Sequence, residues 1–186
     1  MNWDERFRSG EHGSREPDPV LRQAVETVAP GRALDLACGA GRHALFLAER
    51  GWRVTAVDAS RAAIDILNAR AAEARLEIEA RVADLERGEL IISPNDWDLI
   101  GDFFYLQRDL FAQIRLGIRP GGIFAAAIPM TDFRPGIRPM NPAFLVEPGE
   151  LSTIFSGWEL LHVREGPRGE SSRAVSEIVV RRPLTG

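Results

Sequence analysis

The run over residues 33–60, ALDLACGAGRHALFLAERGWRVTAVDAS, limits what this chain can fold into. It predicts a buried strand over residues 33–36, a glycine loop, a helix from about residue 42, and a second strand over residues 53–57 that ends at Asp58. This order is the first half of a nucleotide-binding α/β fold. Gly39 and Gly41 allow a tight turn and a close backbone approach to a ligand. Asp58 is placed to accept hydrogen bonds from two ribose hydroxyls.

The glycine spacing alone leaves two nucleotide ligands open. Gly39-Ala40-Gly41-Arg42-His43-Ala44 also fits the dinucleotide pattern G-x-G-x-x-G/A, and Asp58 lies 17 positions after Gly41. That distance is close to the roughly 20 positions expected of an acid that binds the ribose of NAD. Other features of the sequence must therefore decide whether the ligand is NAD or a different nucleotide.

Three features favour S-adenosylmethionine over NAD. Asp35 lies in the first predicted strand, where a carboxylate suits the ammonium and sulfonium of S-adenosylmethionine better than the pyrophosphate of NAD. Asp84 follows a third predicted strand over residues 78–82, so that acids follow or lie in three successive strands. Residues 158–164 and 174–181 predict an antiparallel hairpin, whereas dinucleotide domains usually add another parallel unit.

The remaining patterns predict one α/β domain over residues 1–186, with residues 1–17 as an N-terminal arm. Asp18 and Ser60 are predicted to cap helices over residues 19–28 and 61–74. Further elements are a strand at 97–102, a helix at 107–118 stopped by RPGG (119–122), a strand at 123–128 and a short helix at 150–155. The predicted fold is a doubly wound, mostly parallel, Rossmann-like sheet of seven strands closed by the C-terminal antiparallel hairpin.

Composition narrows the range of partners. The net charge is −4, which excludes a general basic field for nucleic acid. Cys38 is the single cysteine, the N-terminus is polar, and no apolar run approaches 18 residues. We therefore expect no disulfide, no signal peptide, no membrane span and a cytoplasmic location. No cluster of metal ligands is apparent, and we expect a small-molecule substrate and a monomer or weak homodimer.

Several motifs resemble one methyltransferase family. They are Trp3-Asp4-Glu5-Arg6-Phe7 with Gly10-Glu11, D-L-A-C-G-A-G-R-H-A (35–44), V-D-A-S (57–60), D-F-F-Y-L-Q-R (102–108), R-P-G-G (119–122) and N-P-A-F-L-V-E-P-G-E-L (141–151). Together they resemble the small bacterial class I methyltransferases related to the tellurite-resistance and thiopurine methyltransferases. Ala37 replaces the usual first glycine of the loop. Gln107 stands where members commonly carry histidine, so a histidine base at that point is not expected.

The resemblance implies a class I methyltransferase fold, S-adenosyl-L-methionine as cofactor and S-adenosyl-L-homocysteine as product. It also implies that Asp84 accepts a hydrogen bond from the adenine amino group and that the Leu85 amide donates to the ring. The complete set of predicted cofactor-binding residues is Trp3, Arg6, Asp35, Ala37, Gly39, Gly41, Asp58, Ala59, Asp84, Leu85 and Phe103.

Tyr105 and Arg108 are predicted to position the substrate. Arg108 begins a predicted helix, where the helix dipole disfavours a cation, so the residue has another use. That use is either substrate binding or an ion pair with Asp102 or Asp109.

The predicted activity is methyl transfer to a small nucleophile such as a thiol, an oxyanion or a metalloid oxyanion. The alternatives are a non-catalytic module that binds S-adenosylmethionine and an NAD-linked oxidoreductase. Residues 1–17 carry Trp3 and Phe7 as apolar anchors and Arg6 as a cation for a carboxylate. They are expected to close over the cofactor cleft; a frayed terminus is the alternative.

Overall fold

The fold is a seven-stranded sheet with helices on both faces. It is seen in a computed structural model that describes residues 3–10, 14–132, 134–169 and 172–184. The strands are β1 (Arg32–Leu36), β2 (Arg53–Asp58), β3 (Ile78–Val82), β4 (Trp97–Phe103), β5 (Ile118–Pro129), β6 (Glu159–Pro167) and β7 (Ala174–Arg181). The helices are α1 (Trp3–Arg8), α2 (Pro19–Ala24), α3 (Arg42–Ala48), α4 (Arg61–Ala74), α5 (Leu110–Gly117) and α6 (Glu150–Ile154).

The sheet order is β3-β2-β1-β4-β5-β7-β6. Strands β1 to β5 are parallel, and β7 runs antiparallel to both β5 and β6. The predicted class I methyltransferase fold is confirmed. Because the chain leaves β1 toward β2 on one side and later enters β4 on the other, the strand order reverses between β1 and β4. In such sheets the ligand crevice lies at the carboxyl ends of these two strands.

Apolar clusters cover both faces of the sheet. On one face the Phe124 ring stacks on Phe155 at a centroid distance of 4.5 Å. On the other face α2, α3 and α4 bury Leu21, Leu47 and Leu67 against the strands. The caps follow the sequence: the Asp18 side chain accepts a hydrogen bond from the Val20 amide, and the Ser60 side chain accepts one from the Ala63 amide.

Several elements differ from the sequence prediction, among them the helix predicted at 107–118, which begins only at Leu110. RPGG (119–122) does not stop a helix; it forms an irregularity inside β5, which begins at Ile118 directly after α5. Helix α2 ends at Ala24 rather than at residue 28. The arm contains a six-residue helix, α1, that the sequence pattern did not predict. Residues 1–2 and 11–13 of the predicted arm lie outside the described residues.

Candidate active site

Asp58 joins the glycine loop to the second strand. Its two carboxylate oxygens accept hydrogen bonds from the Gly39 and Ser60 amides, each at 2.8 Å. Burial raises the pKa of Asp58, and the two amides oppose that rise. Because a carboxylate has about four acceptor positions, two remain for hydroxyl donors. The loop that is expected to cradle the cofactor is therefore attached to the acid that is expected to bind its ribose.

Asp84 and Leu85 lie at the same edge of the sheet. Asp58 is paired with Val82 in the β2–β3 register, and the Ala83 amide donates to the Asp58 carbonyl at 3.0 Å. The Asp84 side chain accepts a hydrogen bond from the Glu86 amide and lies 3.3 Å from the Arg87 guanidinium. The two acids predicted to bind adenosine are thus brought together by strand pairing.

The backbone of the loop explains its composition. Gly41 has φ of 79°, and a Cβ there would lie 2.2 Å from the Leu67 side chain. Ala37 also adopts a left-handed conformation, with φ of 48°. A left-handed conformation costs a residue with a Cβ roughly 1–2 kcal/mol. A glycine at the position of Ala37 would therefore be favoured by its dihedral freedom as well as by its size.

Asp35 is a buried acid beside the glycine loop. It is 1% exposed, and one of its carboxylate oxygens has no hydrogen-bond partner among the described residues. Burial raises its pKa to about 7, partly offset by a hydrogen bond from the Ala44 amide. A buried carboxylate with an unpaired oxygen fits a cationic group of the cofactor.

Two further buried groups near Asp35 were missed by the sequence reasoning. His43 places its Nδ1 atom 3.9 Å from an Asp35 oxygen, and burial lowers the pKa of this imidazole to about 3. Asp102, at the end of β4, is 2% exposed, and burial raises its pKa well above the usual range. His43 Nε2 and Asp102 Oδ1 lack partners within the described part of the chain. The one sequence signal that could have identified them as site residues is their position, beside the predicted glycine loop and at the end of a predicted strand.

The arm docks beside the glycine loop. Asp4 accepts hydrogen bonds from the Ser60 hydroxyl and the Ala62 amide at the start of α4. The Phe7 ring lies 3.3 Å from the position that a Cβ on Gly39 would occupy. Arg6 lies over the Trp3 ring at 5.0 Å, and Trp3 is half exposed. The described part of the arm therefore lies beside the glycine loop and the start of α4, while its closure over the cofactor stays a prediction.

The comparisons with known proteins show the family of this chain. The family model described as tellurite resistance protein TehB matches residues 14–174. The chain belongs to the TehB family. The resemblance noted in the sequence to the tellurite-resistance methyltransferases is thereby confirmed.

Similar proteins include curated relatives and solved structures. Hemagglutinin 1 of Eikenella corrodens is 34% identical over 83% of this chain and 52% of its own length. A probable S-adenosyl-L-methionine-dependent methyltransferase TehB of Haemophilus influenzae is 28% identical over 76% of this chain and 51% of its own length. The crystal structure of TehB from Haemophilus influenzae has a TM-score of 0.78 at 21% identity and covers 96% of this chain and 67% of that one. This TehB-family chain spans about half the length of the curated relatives it matches.

After β4, Phe104 rather than Phe103 presents its ring at the surface. The Phe103 ring is buried, with its centroid 4.2 Å from that of His43. A ring contact between Phe103 and a cofactor is therefore not supported. Tyr105 donates to Gln107 at 2.6 Å, and the Gln107 amide donates to the Leu85 carbonyl at 3.1 Å. Burial and nearby acids raise the pKa of Tyr105, so this phenol remains protonated.

The expected ion-pair partner of Arg108 was wrong. Its guanidinium pairs with Glu150, at 2.6 and 3.0 Å, and donates to the Leu145 carbonyl. Neither Asp102 nor Asp109 is its partner. This ion pair fixes the segment before α6 to the start of α5. It explains why a cation stands next to a helix N-terminus, and no substrate contact is needed for that explanation. The role of Arg108 in substrate positioning is not supported by this geometry.

Two kinds of feature are absent from the described ranges. No helix there is both long and apolar enough to cross a membrane. No described group of three or more histidine, cysteine or acidic side chains could hold a metal ion.

Proposed function

We propose that this chain is an S-adenosylmethionine-dependent methyltransferase domain that acts on a small-molecule nucleophile. The observation that carries the proposal is the gathering of Asp35, Asp58 and Asp84 at the carboxyl edge of three adjacent strands, beside a glycine loop. Three carboxylates around one cleft suit a cationic nucleoside and do not suit a pyrophosphate. Membership in the TehB family supports the same proposal.

The residues present fit this cofactor. Asp58 retains acceptor capacity for the ribose hydroxyls, and Asp84 lies beside it for the adenine amino group. The unpaired oxygen of Asp35 is available to the ammonium or sulfonium. When bound, S-adenosylmethionine supplies a methyl group that is activated by its attachment to a positively charged sulfur.

The chain's own contribution is alignment and exclusion of water. In the transfer, the acceptor's lone pair forms a bond to the methyl carbon while the carbon–sulfur bond breaks, and S-adenosylhomocysteine leaves. Holding the reactants in line can contribute roughly 7–11 kcal/mol to lowering the barrier. Anionic thiolates and oxyanions need no general base. Tyr105 is held neutral and is engaged with Gln107, so it does not act as a base.

The test is a ligand screen followed by an acceptor screen. S-adenosylhomocysteine at 100 times its dissociation constant adds about 2.7 kcal/mol to stability, which raises the melting temperature by roughly 5–10 °C. NADH is expected to cause no shift; a shift with NADH alone would favour an oxidoreductase. Release of S-adenosylhomocysteine with thiol or oxyanion acceptors separates an enzyme from a module that only binds the cofactor.

A further inference from the structure

Phe104 is held in an unusual conformation at the ligand crevice. It follows β4, one of the two strands between which the strand order reverses, and its φ is 63°. A bulky aromatic residue rarely adopts a left-handed backbone, and such strain is concentrated at functional sites. Its amide donates to the Ala127 carbonyl at 2.8 Å, which anchors the turn. The side chain remains 48% exposed, so the strained backbone presents an apolar ring to solvent.

Two guanidinium groups border this ring. Arg42 lies 5.5 Å and Arg168 lies 5.8 Å from its centroid, both within the range of a cation–π contact. Arg42 directly follows the glycine loop, and Arg168 comes from the connection between β6 and β7. The ring and the two cations thus come from three separate segments around one crevice.

The charge of Arg168 is already balanced. Its guanidinium makes two hydrogen bonds to Asp18, at 2.6 and 2.9 Å, and one to Glu177 at 2.7 Å. Both acids are buried. Arg168 is therefore a fixed support for the Phe104 ring, and few of its donors remain for a ligand.

Arg42 is different because none of the described acids lies within ion-pair distance of it, although Asp18 and Asp35 act on its charge from further away. Among the described residues its hydrogen bonding consists of one long contact of 3.5 Å to the Glu16 carbonyl, and it has no ion pair. Partial burial lowers the pKa of Arg42, the charges of Asp18 and Asp35 oppose that fall, and the charge of Arg168 adds to it. By contrast, Arg108, Arg134 and Arg164 are each paired with an acid. A half-buried guanidinium with unused donors is a ready partner for an anion.

We propose that Arg42 and Phe104 form the site for the methyl acceptor, and that the acceptor is an organic anion with a flat apolar face. The anionic group binds the Arg42 guanidinium, and the apolar face packs on the exposed ring of Phe104. Because Arg42 is adjacent to Gly41, an acceptor held there lies beside the cofactor loop. This assignment rests on the proposed methyl transfer and names the class of acceptor.

The test compares benzoate with benzamide, which share a ring and differ in charge. Each is titrated by calorimetry into the protein saturated with S-adenosylhomocysteine. We expect benzoate to bind at least tenfold more tightly than benzamide. Arg42→Gln is expected to abolish that preference, and Phe104→Ala to weaken both ligands. Sulfate, an inorganic oxyanion, is expected to bind more weakly than benzoate because it lacks the apolar face.

Arg50→Gln is the matched control. Arg50 also contacts an aromatic ring, with its guanidinium 3.7 Å from the Phe46 ring centroid. It follows the C-terminal end of α3, whereas Arg42 begins that helix at the crevice. This variant should retain the wild-type preference for benzoate. Equal affinities of benzoate and benzamide for the wild-type protein, or an unchanged preference in Arg42→Gln, would overturn the assignment. If sulfate bound as tightly as benzoate, Phe104 would have no part in the proposed acceptor site. Failure of the wild-type protein to bind S-adenosylhomocysteine would refute the proposed function instead.

Discussion

Replacing Asp35 by asparagine should stabilise the cofactor-free protein, and increasingly so as the pH rises. Burial raises the pKa of Asp35 from 3.8 to about 7 in the folded state. This difference corresponds to about 4 kcal/mol against the charged form. A carboxylate held in this way is retained at a cost to stability, as expected of a group that serves binding.

The sign of the pH dependence follows from the two protonation equilibria. Below pH 3.8 both the folded and the unfolded states carry a neutral Asp35, and the group does not affect stability. As the pH rises from 3.8 to about 7 the unfolded state loses its proton first, so the free energy of unfolding falls. Above about 7 the full destabilisation is present. Between pH 5 and pH 8 the loss amounts to about 3 kcal/mol.

Asparagine does not titrate, so the comparison of variants isolates this effect. We expect the difference in unfolding free energy between Asp35→Asn and wild type to be about 3 kcal/mol larger at pH 8 than at pH 5. Urea denaturation of the cofactor-free proteins at the two pH values measures it. Asp65→Asn, at an exposed position on α4, is the control and should show no such change. If the difference in unfolding free energy between Asp35→Asn and wild type were equal at both pH values, the raised pKa of Asp35 in the folded state would be refuted.

Two more perturbations test the cofactor cleft. Asp58→Ala should weaken S-adenosylhomocysteine binding at least tenfold in calorimetry and leave a folded protein, because hydrogen bonds to a carboxylate contribute about 1.5–3 kcal/mol each. Asp58→Asn should weaken binding less, since it keeps one acceptor oxygen for the Gly39 or Ser60 amide. Binding unchanged in Asp58→Ala would mean that the pocket is elsewhere. Deletion of residues 2–12 should leave a folded domain with weaker cofactor binding and little transfer, because Asp4 contacts Ser60 and Phe7 lies beside Gly39 of the glycine loop. Amide hydrogen exchange in the arm should slow when S-adenosylhomocysteine is added. Unaltered exchange together with full activity of the truncated protein would show that the arm has no role in cofactor binding or methyl transfer.

Much of the fold could be predicted because its signals are local. The strands over residues 78–82 and 174–181 and the helix over residues 61–74 have the same bounds in the sequence pattern and in the structure. The alternation of apolar residues, the glycines of the loop and the capping residues Asp18 and Ser60 act within a few positions. The acids at three strand ends come together because parallel strands end at one edge.

The unpredicted features depend on residues that are distant in sequence. RPGG (119–122) reads locally as a helix stop, but pairing of β5 with β4 and β7 absorbs it into a strand. Arg108 finds its acid 42 positions away at Glu150. Helix α1 carries no buried residue of its own and is placed by contacts with Ser60, Ala62 and Gly39.

The sequence by itself determined the sheet, the glycine loop and the acids that are predicted to line the cofactor cleft. Only the tertiary structure decided which cation beside that loop has no ion pair among the described residues. Arg168 is balanced by Asp18, 150 positions earlier, and by Glu177, whereas Arg42 is left beside the exposed Phe104 ring. The physical reason is that secondary structure follows from short-range backbone preferences, while the partner of a long charged side chain is selected by the three-dimensional packing of remote segments.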